Sequence, residues 1–145
     1  MDDLVAFLRA RLDEDEQVAL ESIGQTGVML AGADAASVSV WRVVERPATG
    51  TFVTARDQWD RVTEVVPTYG GMYAEHIARH DPARVLRETQ AHRTTVDEYD
   101  IAMWAQEDAD QAAYWQARRD VLRETCLRVA TVYADHPDYL EDWRP

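Results

Sequence analysis

The stretch that decides how this chain is organised is His76-Ile-Ala-Arg-His-Asp-Pro-Ala-Arg-Val-Leu-Arg-Glu88. Asp81 followed by Pro82 predicts a helix start, because aspartate is a favoured N-cap and proline at the first helical position gives up no hydrogen bond. Gly70-Gly71 separates the stretch from β-branched sequence upstream, and apolar residues recur at helical spacing downstream. We therefore place here the junction between a mixed N-terminal half and a helical C-terminal half.

The N-terminal half predicts one helix and then a small antiparallel sheet. Residues 2–22 carry leucines at four-residue spacing without glycine or proline, so we expect a helix that Gly24 ends. Arg46 to Gly50 contains proline and glycine and is the expected hairpin connection. We predict three or four strands, because four segments alternate or are rich in β-branched residues: 27–30, 37–44, 51–54 and 61–66.

The C-terminal half predicts a short helix over about residues 72–80 and then a long antiparallel helical hairpin. The first arm starts at Pro82 and fades near Trp104, with apolar residues spaced alternately by three and four. The second arm carries an apolar stripe from Trp115 to Tyr133. Together with the sheet, this pattern predicts an α+β fold.

The composition predicts one soluble, ordered, acidic domain. The chain has 145 residues, 46% of them hydrophobic, and a formal net charge of −12. A chain of this length buries a core without metal or disulfide support, so we predict a single domain, residues 1–145. Cys126 is the only cysteine, which excludes an internal disulfide and a cysteine zinc cluster. Because no signal-like start and no apolar run of about 20 residues occurs, we expect a cytoplasmic protein that does not contact a membrane.

The acidity bears on the choice of partner. A strongly negative chain repels nucleic-acid backbones, so we do not expect direct nucleic-acid binding. Tyr133, Tyr139 and Trp143 accompany acidic residues near the tail, which favours a basic protein partner or self-association. A sharper alternative is that the protein is an acidic mimic of nucleic acid. All fifteen basic residues are arginine, and neither lysine nor asparagine occurs, which indicates a GC-rich genome.

Two histidines of the junction are the candidate metal ligands. His76 and His80 are four residues apart, so they project from one face of a helix and could hold a metal with Glu75, Asp81 or the distant His136 as a third ligand. The zinc-protease spacing is absent, because Glu75 precedes the first histidine instead of following it. The alternative interpretation is a pair of partly buried or capping histidines. No cofactor is predicted.

Three arginines of the junction are candidate anion ligands. Arg79, Arg84 and Arg87 could clamp a phosphate or a carboxylate, although neighbours such as Glu88 are expected to pair with them. Cys126 lies on an apolar stripe and is expected to be an inert buried thiol. Since no hydrolase, kinase or dinucleotide motif occurs, the leading hypothesis is a non-enzymatic interaction or regulatory protein. A metal- or anion-binding enzyme centred on the junction is the alternative.

Three blocks of the sequence resemble one family: Met1 to Glu16, His76 to Glu88, and Tyr133 to Tyr139. They resemble an uncharacterised family of small acidic proteins from actinobacteria and their phages, a domain of unknown function. The resemblance implies no activity. Relatives often carry additional cysteines before the last block, and here Cys126 stands alone, so a cysteine metal site is not implied for this chain.

The resemblance also singles out the tail. Because the junction and the tail recur together in the family pattern, Asp135, His136 and Tyr139 join the junction residues as candidate ligand or interaction residues. It further implies that the two blocks touch in space. Under that hypothesis His80 and His136 approach each other.

Overall fold

The computed structural model describes residues 2–25, 40–47, 49–56, 62–68, 71–105 and 109–144. The chain divides into two compact units. Unit 1 comprises Met1–Glu14 and Thr89–Pro145, and unit 2 comprises Asp15–Glu88. That the whole chain forms a single domain stays a prediction.

Unit 2 contains the predicted antiparallel sheet. Its strands are β1 (Trp41–Arg46), β2 (Gly50–Arg56) and β3 (Val62–Thr68), in the order β1-β2-β3. Strand β1 differs from the predicted segment 37–44 at both ends, since Val40 has no strand structure and the strand runs on to Arg46. The segment 27–30, which was the candidate fourth strand, and residues 37–39 lie outside the described residues.

The connection between β1 and β2 is the hairpin that the sequence predicts. Arg46 pairs with Gly50, and the Thr49 N–H donates to the Arg46 carbonyl oxygen over 3.1 Å. Gly50 has a φ of 99°, a conformation that a side chain would disfavour. Glycine at this position is therefore required by the backbone of the turn.

The central strand is buried on both faces. Phe52, Val53, Thr54 and Ala55 are consecutive buried residues of β2. Residues that follow each other in a strand point to opposite faces, so both faces of β2 are covered. Helix α2 (Gly71–Arg79) contacts the sheet and buries Ala74. The predicted short helix is thus confirmed.

Helix α1 (Asp3–Gln25) is longer than predicted at its C-terminal end. Asp2 caps it, because the Leu4 N–H donates to Asp2 Oδ1 over 2.8 Å. Gly24 lies in the last turn of α1, which ends at Gln25, one residue beyond the predicted stop. Glycine permits a helix stop but costs only about 1 kcal/mol inside a helix, so the neighbouring residues decide.

The two arms of the predicted hairpin are α3 (Pro82–Trp104) and α4 (Ala112–Ala130). Arg118 Nη2 lies 3.2 Å from Glu98 Oε2, and Arg119 Nη1 donates to the Ala102 carbonyl oxygen over 3.4 Å. Late residues of α3 therefore face early residues of α4, as antiparallel arms require. The α+β class with its helical hairpin is confirmed. Short 3₁₀ helices occupy Ala109–Gln111, Thr131–Tyr133 and Glu141–Trp143.

The core of unit 1 combines the start of α1 with the hairpin and the tail. Its fully or largely buried side chains come from four segments: Leu4, Val5, Phe7, Leu8, Leu12, Val96, Tyr99, Cys126, Val129, Ala130 and Trp143. The leucine spacing that predicts α1 thus also marks its buried face. Searching the described residues shows no helix that is both long and apolar enough to cross a bilayer.

Candidate functional site

The two junction histidines lie on one face, as their spacing predicts. His76 is on α2 and His80 follows it, both are exposed, and their ring centroids are 4.6 Å apart. In the part of the chain that the structure describes, no group of three or more His, Cys, Asp or Glu side chains is placed to hold a metal ion. The pair therefore lacks a third ligand there, and the metal hypothesis gains no support from its surroundings.

Asp81 makes two structural contacts, and its position in the sequence predicts only one of them. It is 7% exposed, and its Oδ1 accepts the Arg84 N–H over 2.7 Å, which confirms the predicted N-cap of α3. Its Oδ2 accepts the backbone N–H of Trp41 over 3.2 Å. One buried carboxylate thus joins the start of β1 to the start of α3.

The arginines of the junction are exposed or half-buried and face solvent. Arg84 pairs with Glu88, with Nε 2.6 Å from Oε1, and its Nη1 donates to the Arg79 carbonyl oxygen over 3.4 Å. The expected pairing with a neighbouring carboxylate is thus confirmed for Arg84. Arg87 is exposed on the same helix.

The candidate residues of the tail lie in unit 1, and two of them, His136 and Tyr139, pack against Phe7. The rings of His136 and Tyr139 meet the Phe7 ring edge-on, with centroid distances of 5.8 and 6.1 Å. His136 Nδ1 accepts the Asp138 N–H over 3.1 Å. Asp135 is exposed. The proximity of His80 and His136 stays a prediction, because the two residues belong to different units.

The aromatic residues of the tail pack inside the protein. Trp143 is 7% exposed, and its ring lies 4.9 Å from Phe7 and 5.7 Å from Tyr139. Trp143 is therefore not available to a partner, contrary to the sequence-based expectation. Tyr139 is half-buried, and its hydroxyl has no hydrogen-bond partner among the described residues.

Arg11 is a buried charge that the sequence analysis did not single out. It is 8% exposed, its Nη1 contacts His136 Nε2, and its Nη2 donates to Glu14 Oε1 over 2.8 Å. Its guanidinium carbon lies 5.6 Å from the centre of the Phe7 ring. The only sequence signal was an arginine between Leu8 and Leu12, on the apolar side of α1.

Two groups of the unit 1 core are kept in their protonated form. Burial raises the pKa of the Cys126 thiol to about 11. Burial, and then the nearby Asp2, raise the pKa of Tyr99 to about 12, while the Tyr99 hydroxyl donates to Asp2 Oδ2 over 3.1 Å. Since the thiolate is the nucleophile, Cys126 is an inert core residue, as predicted.

The hairpin presents an exposed apolar surface, which we call the hairpin face. It consists of Ile101, Trp104, Tyr114 and Val121, which are 67, 72, 60 and 63% exposed. The ion pair of Glu98 and Arg118 joins the two arms that carry them. Ile101 is one turn after Glu98 on α3, whereas Tyr114 and Val121 are one turn to either side of Arg118 on α4.

A second candidate is a cavity of about 330 Å³ in unit 2. Val18 and Ala19 on α1, Trp41, and the sequence around Pro82 and Val85 supply its apolar lining. Its polar lining residues are Asp15, Ser22 and His80. We call this space the Trp41 cavity.

The residues of the hairpin face have a weak sequence signal. Tyr114 and Val121 each precede a member of the predicted apolar stripe by one position, and Ile101 and Trp104 also fall off their stripe. Large apolar residues off the buried stripe are candidates for an exposed face. The Trp41 cavity has no such signal, because three distant segments form it.

The comparisons with known proteins identify a family but assign no chemistry to this chain. The sequence profile of a family of unknown function (DUF6221) matches residues 1–145. A search of curated proteins found no match, and a search of solved structures also found none.

Proposed function

This chain belongs to the family of unknown function DUF6221, and from its surfaces we propose that it is a non-enzymatic interaction or regulatory protein that binds a protein partner through the hairpin face. An origin in actinobacteria, their phages or prophages is part of the proposal. It is supported by the exclusive use of arginine among the fifteen basic residues, which suits a GC-rich genome.

The exposure of Trp104 carries the proposal. Tryptophan and tyrosine are the residues that most often dominate the binding energy of protein interfaces. Trp104 is 72% exposed, and Ile101 one turn before it and Tyr114 on the other arm are similarly open to solvent. Scattered apolar residues need no explanation, but a group held together on one face marks an interaction surface.

The charge around the hairpin face favours a basic partner. Asp97, Glu98, Asp100 and Asp110 lie near the apolar residues along the chain, and the protein carries a net charge of −12. Arg9 pairs with Asp97 and Asp100, and Arg118 pairs with Glu98, so the net charge of the whole chain carries this part of the proposal. Opposite charge at the edge of an interface speeds association and excludes wrong partners. A second copy of this chain is the other partner that the proposal allows.

Affinity capture from the host lysate with matched variants tests the proposal. We expect the wild-type chain to enrich a specific protein, Trp104→Ala to lose it, and Tyr73→Ala to retain it. Tyr73 is the control because it is an aromatic residue of similar exposure, 70%, on α2. Equal capture by both variants, or no enriched protein together with a monomeric mass in solution, would contradict the proposal.

One measurement distinguishes the metalloenzyme alternative from the interaction-protein proposal. A metal dependence centred on His76 and His80 predicts that a chelator lowers the thermal stability of the purified protein and that His76→Ala removes the effect. The nucleic-acid mimic is a narrower form of the leading proposal. It predicts that the captured protein is a nucleic-acid-binding protein and that nucleic acid competes with the chain for it.

A further inference from the structure

We infer that a cavity in unit 1, between the two arms of the hairpin, binds a free α-amino acid with an apolar side chain. Its volume is about 330 Å³, and we call it the Arg123 cavity. Its described lining residues all belong to unit 1, and none of them is a member of the hairpin face. The inference therefore goes beyond the proposed function.

One face of α4 supplies most of the charges of the Arg123 cavity. Gln116, Arg119, Asp120 and Arg123 all line it. Because these residues are three or four positions apart, they lie on the same side of the helix. Cationic and anionic side chains thus alternate along one wall of the cavity.

The Gln116 amide fixes the position of two of these side chains. Its Nε2 donates to Asp120 Oδ1 over 2.9 Å, and its Oε1 accepts Arg119 Nη2 over 3.2 Å. Arg119 is also tied to α3, because its Nη1 donates to the Ala102 carbonyl oxygen over 3.4 Å. The only partner of Asp120 among the described residues is therefore a neutral amide, which leaves the negative charge of the carboxylate without an ion pair.

Arg123 brings a positive charge close to Tyr99. The Tyr99 hydroxyl donates to Asp2 Oδ2 over 3.1 Å, and both residues line the cavity. Burial and then Asp2 raise the pKa of this hydroxyl, whereas the Arg123 guanidinium acts in the opposite direction, so its charge lies near the hydroxyl. Arg123 forms neither a hydrogen bond nor an ion pair with any residue that the structure describes. Its guanidinium is thus available to a ligand at this place.

The balance of charge in the lining selects a ligand with both charges. Two arginines, Arg119 and Arg123, face two aspartates, Asp2 and Asp120. A simple anion would meet the two carboxylates, and a simple cation would meet the two guanidinium groups. An α-amino acid carries a carboxylate for Arg123 and an ammonium group for Asp120 on one carbon atom. Hydrogen bonds between such charged groups are the strong ones.

The size and the apolar part of the cavity suit a small aliphatic side chain. A volume of about 330 Å³ falls at the lower end of the range for small-molecule sites, about 300–1,000 Å³. Met103 lines the cavity and is 41% exposed, so a ligand would cover apolar surface that faces water. Since methionine adapts its shape to what it contacts, an unbranched side chain is the best match.

A set of three probes with one pentyl chain tests the inference. Norleucine carries both charged groups, hexanoate lacks the ammonium group, and pentylammonium lacks the carboxylate. The full-length protein labelled with methyl-¹³C methionine is titrated with each probe, and NMR follows the signal that Met103→Leu removes. We expect norleucine to shift this signal and to bind at least about tenfold more tightly than either analogue, which corresponds to about 1.4 kcal/mol.

Matched variants separate the cavity from the general charge of the protein. Arg123→Gln should reduce the preference for norleucine over pentylammonium to about twofold or less, because it removes the partner of the carboxylate. Asp120→Asn should reduce the preference for norleucine over hexanoate in the same way. Arg128→Gln and Glu124→Gln are the controls, since these exposed residues of the same helix pair with each other and do not line the cavity. Both preferences should persist in the controls.

Three results would overturn the inference. A Met103 signal that no probe shifts would remove the site. Equal affinity for norleucine and one of its analogues, or unchanged preferences in Arg123→Gln and Asp120→Asn, would remove the assigned ligand class. Effects of the control variants as large as those of the cavity variants would assign the preferences to long-range electrostatics. None of these outcomes depends on Trp104 or on capture of a protein partner.

Discussion

Two buried charged side chains, one in each unit, are held in different ways. Asp81 in unit 2 is satisfied by backbone N–H groups, one of them only three residues away. Arg11 in unit 1 is contacted by Glu14 and by His136, which is 125 residues distant in the sequence. The Nε of Arg11 has no hydrogen-bond partner among the described residues.

The difference indicates how much each of the two charges contributes to the stability of its unit. A carboxylate that accepts backbone N–H groups at a helix start is a fully used cap, so its removal leaves donors unsatisfied. A buried arginine whose partners are side chains, one of them exposed, has a large desolvation penalty to offset and contributes little net stability. We therefore expect the junction to depend on Asp81 more than the tail depends on Arg11.

The largest expected effect concerns the aromatic cluster that surrounds Arg11. Phe7→Ala should lower the free energy of unfolding by about 3–5 kcal/mol, because Phe7 is 7% exposed and meets four rings of the tail. Chemical denaturation measures the loss, and Phe7→Leu, which keeps most of the volume, should lose less. A loss below about 1 kcal/mol would show that the tail does not pack on Phe7 in solution.

The second effect tests the junction. Asp81→Ala should cost about 2 kcal/mol, the sum of a lost helix cap and an unsatisfied N–H on Trp41. Asp81→Asn retains an acceptor and should cost clearly less, as measured by denaturant midpoints of the three proteins. If the asparagine variant is as unstable as the alanine variant, the hydrogen bonds are not the reason for the loss.

The third effect is a pH dependence of unit 1. Cys126 has its pKa raised from 9.0 to about 11, so in alkaline solution the unfolded chain loses the thiol proton first and stability falls as pH rises from about 9 to 11. After allowance for screening by water, the loss is on the order of 1 kcal/mol. Cys126→Ala should be less stable at neutral pH but should show a shallower decline over this interval. Identical slopes for both proteins would contradict the prediction.

The smallest effect completes the comparison of the two charges. Arg11→Met should change the free energy of unfolding by less than about 1 kcal/mol in either direction, since it removes a costly buried charge, keeps a similar side-chain volume, and leaves the Glu14 carboxylate exposed to water and not buried. Comparison with Asp81→Leu in the same denaturation assay makes the contrast direct. If Arg11→Met destabilises the protein more than Asp81→Leu does, Arg11 contributes more to stability than Asp81, contrary to the prediction.

The elements of the fold could be predicted because their signals are local. Asp81 with Pro82 predicts the start of α3, and Gly50 predicts the turn between β1 and β2. At Gly24 the same type of signal predicts the end of α1 to within one residue, because glycine permits a helix to end but does not fix the last residue. The residue type at one position favours a local conformation, and the packing of the neighbouring residues decides whether the chain adopts it.

The candidate surfaces could be predicted only in part. His76 and His80 lie together because helical spacing places them together, but spacing cannot supply a third ligand. Trp143 was expected at a surface and is buried against Phe7, since a short tail without regular periodicity shows no buried face in its sequence. The hairpin face lies off the apolar stripes, and helical periodicity identifies only the residues that lie on them.

The sequence by itself determined the α+β class, the junction at Asp81, the two arms of the hairpin and the acidity that favours a basic partner. Each follows from periodicity, helix capping or net charge, which act over a few residues or over the whole composition. Only the tertiary structure decided that Asp81 also holds Trp41, that His136 meets Arg11, and that Val18, Trp41 and Val85 line one cavity. Those contacts join residues far apart in the chain, and no local pattern of residues specifies them.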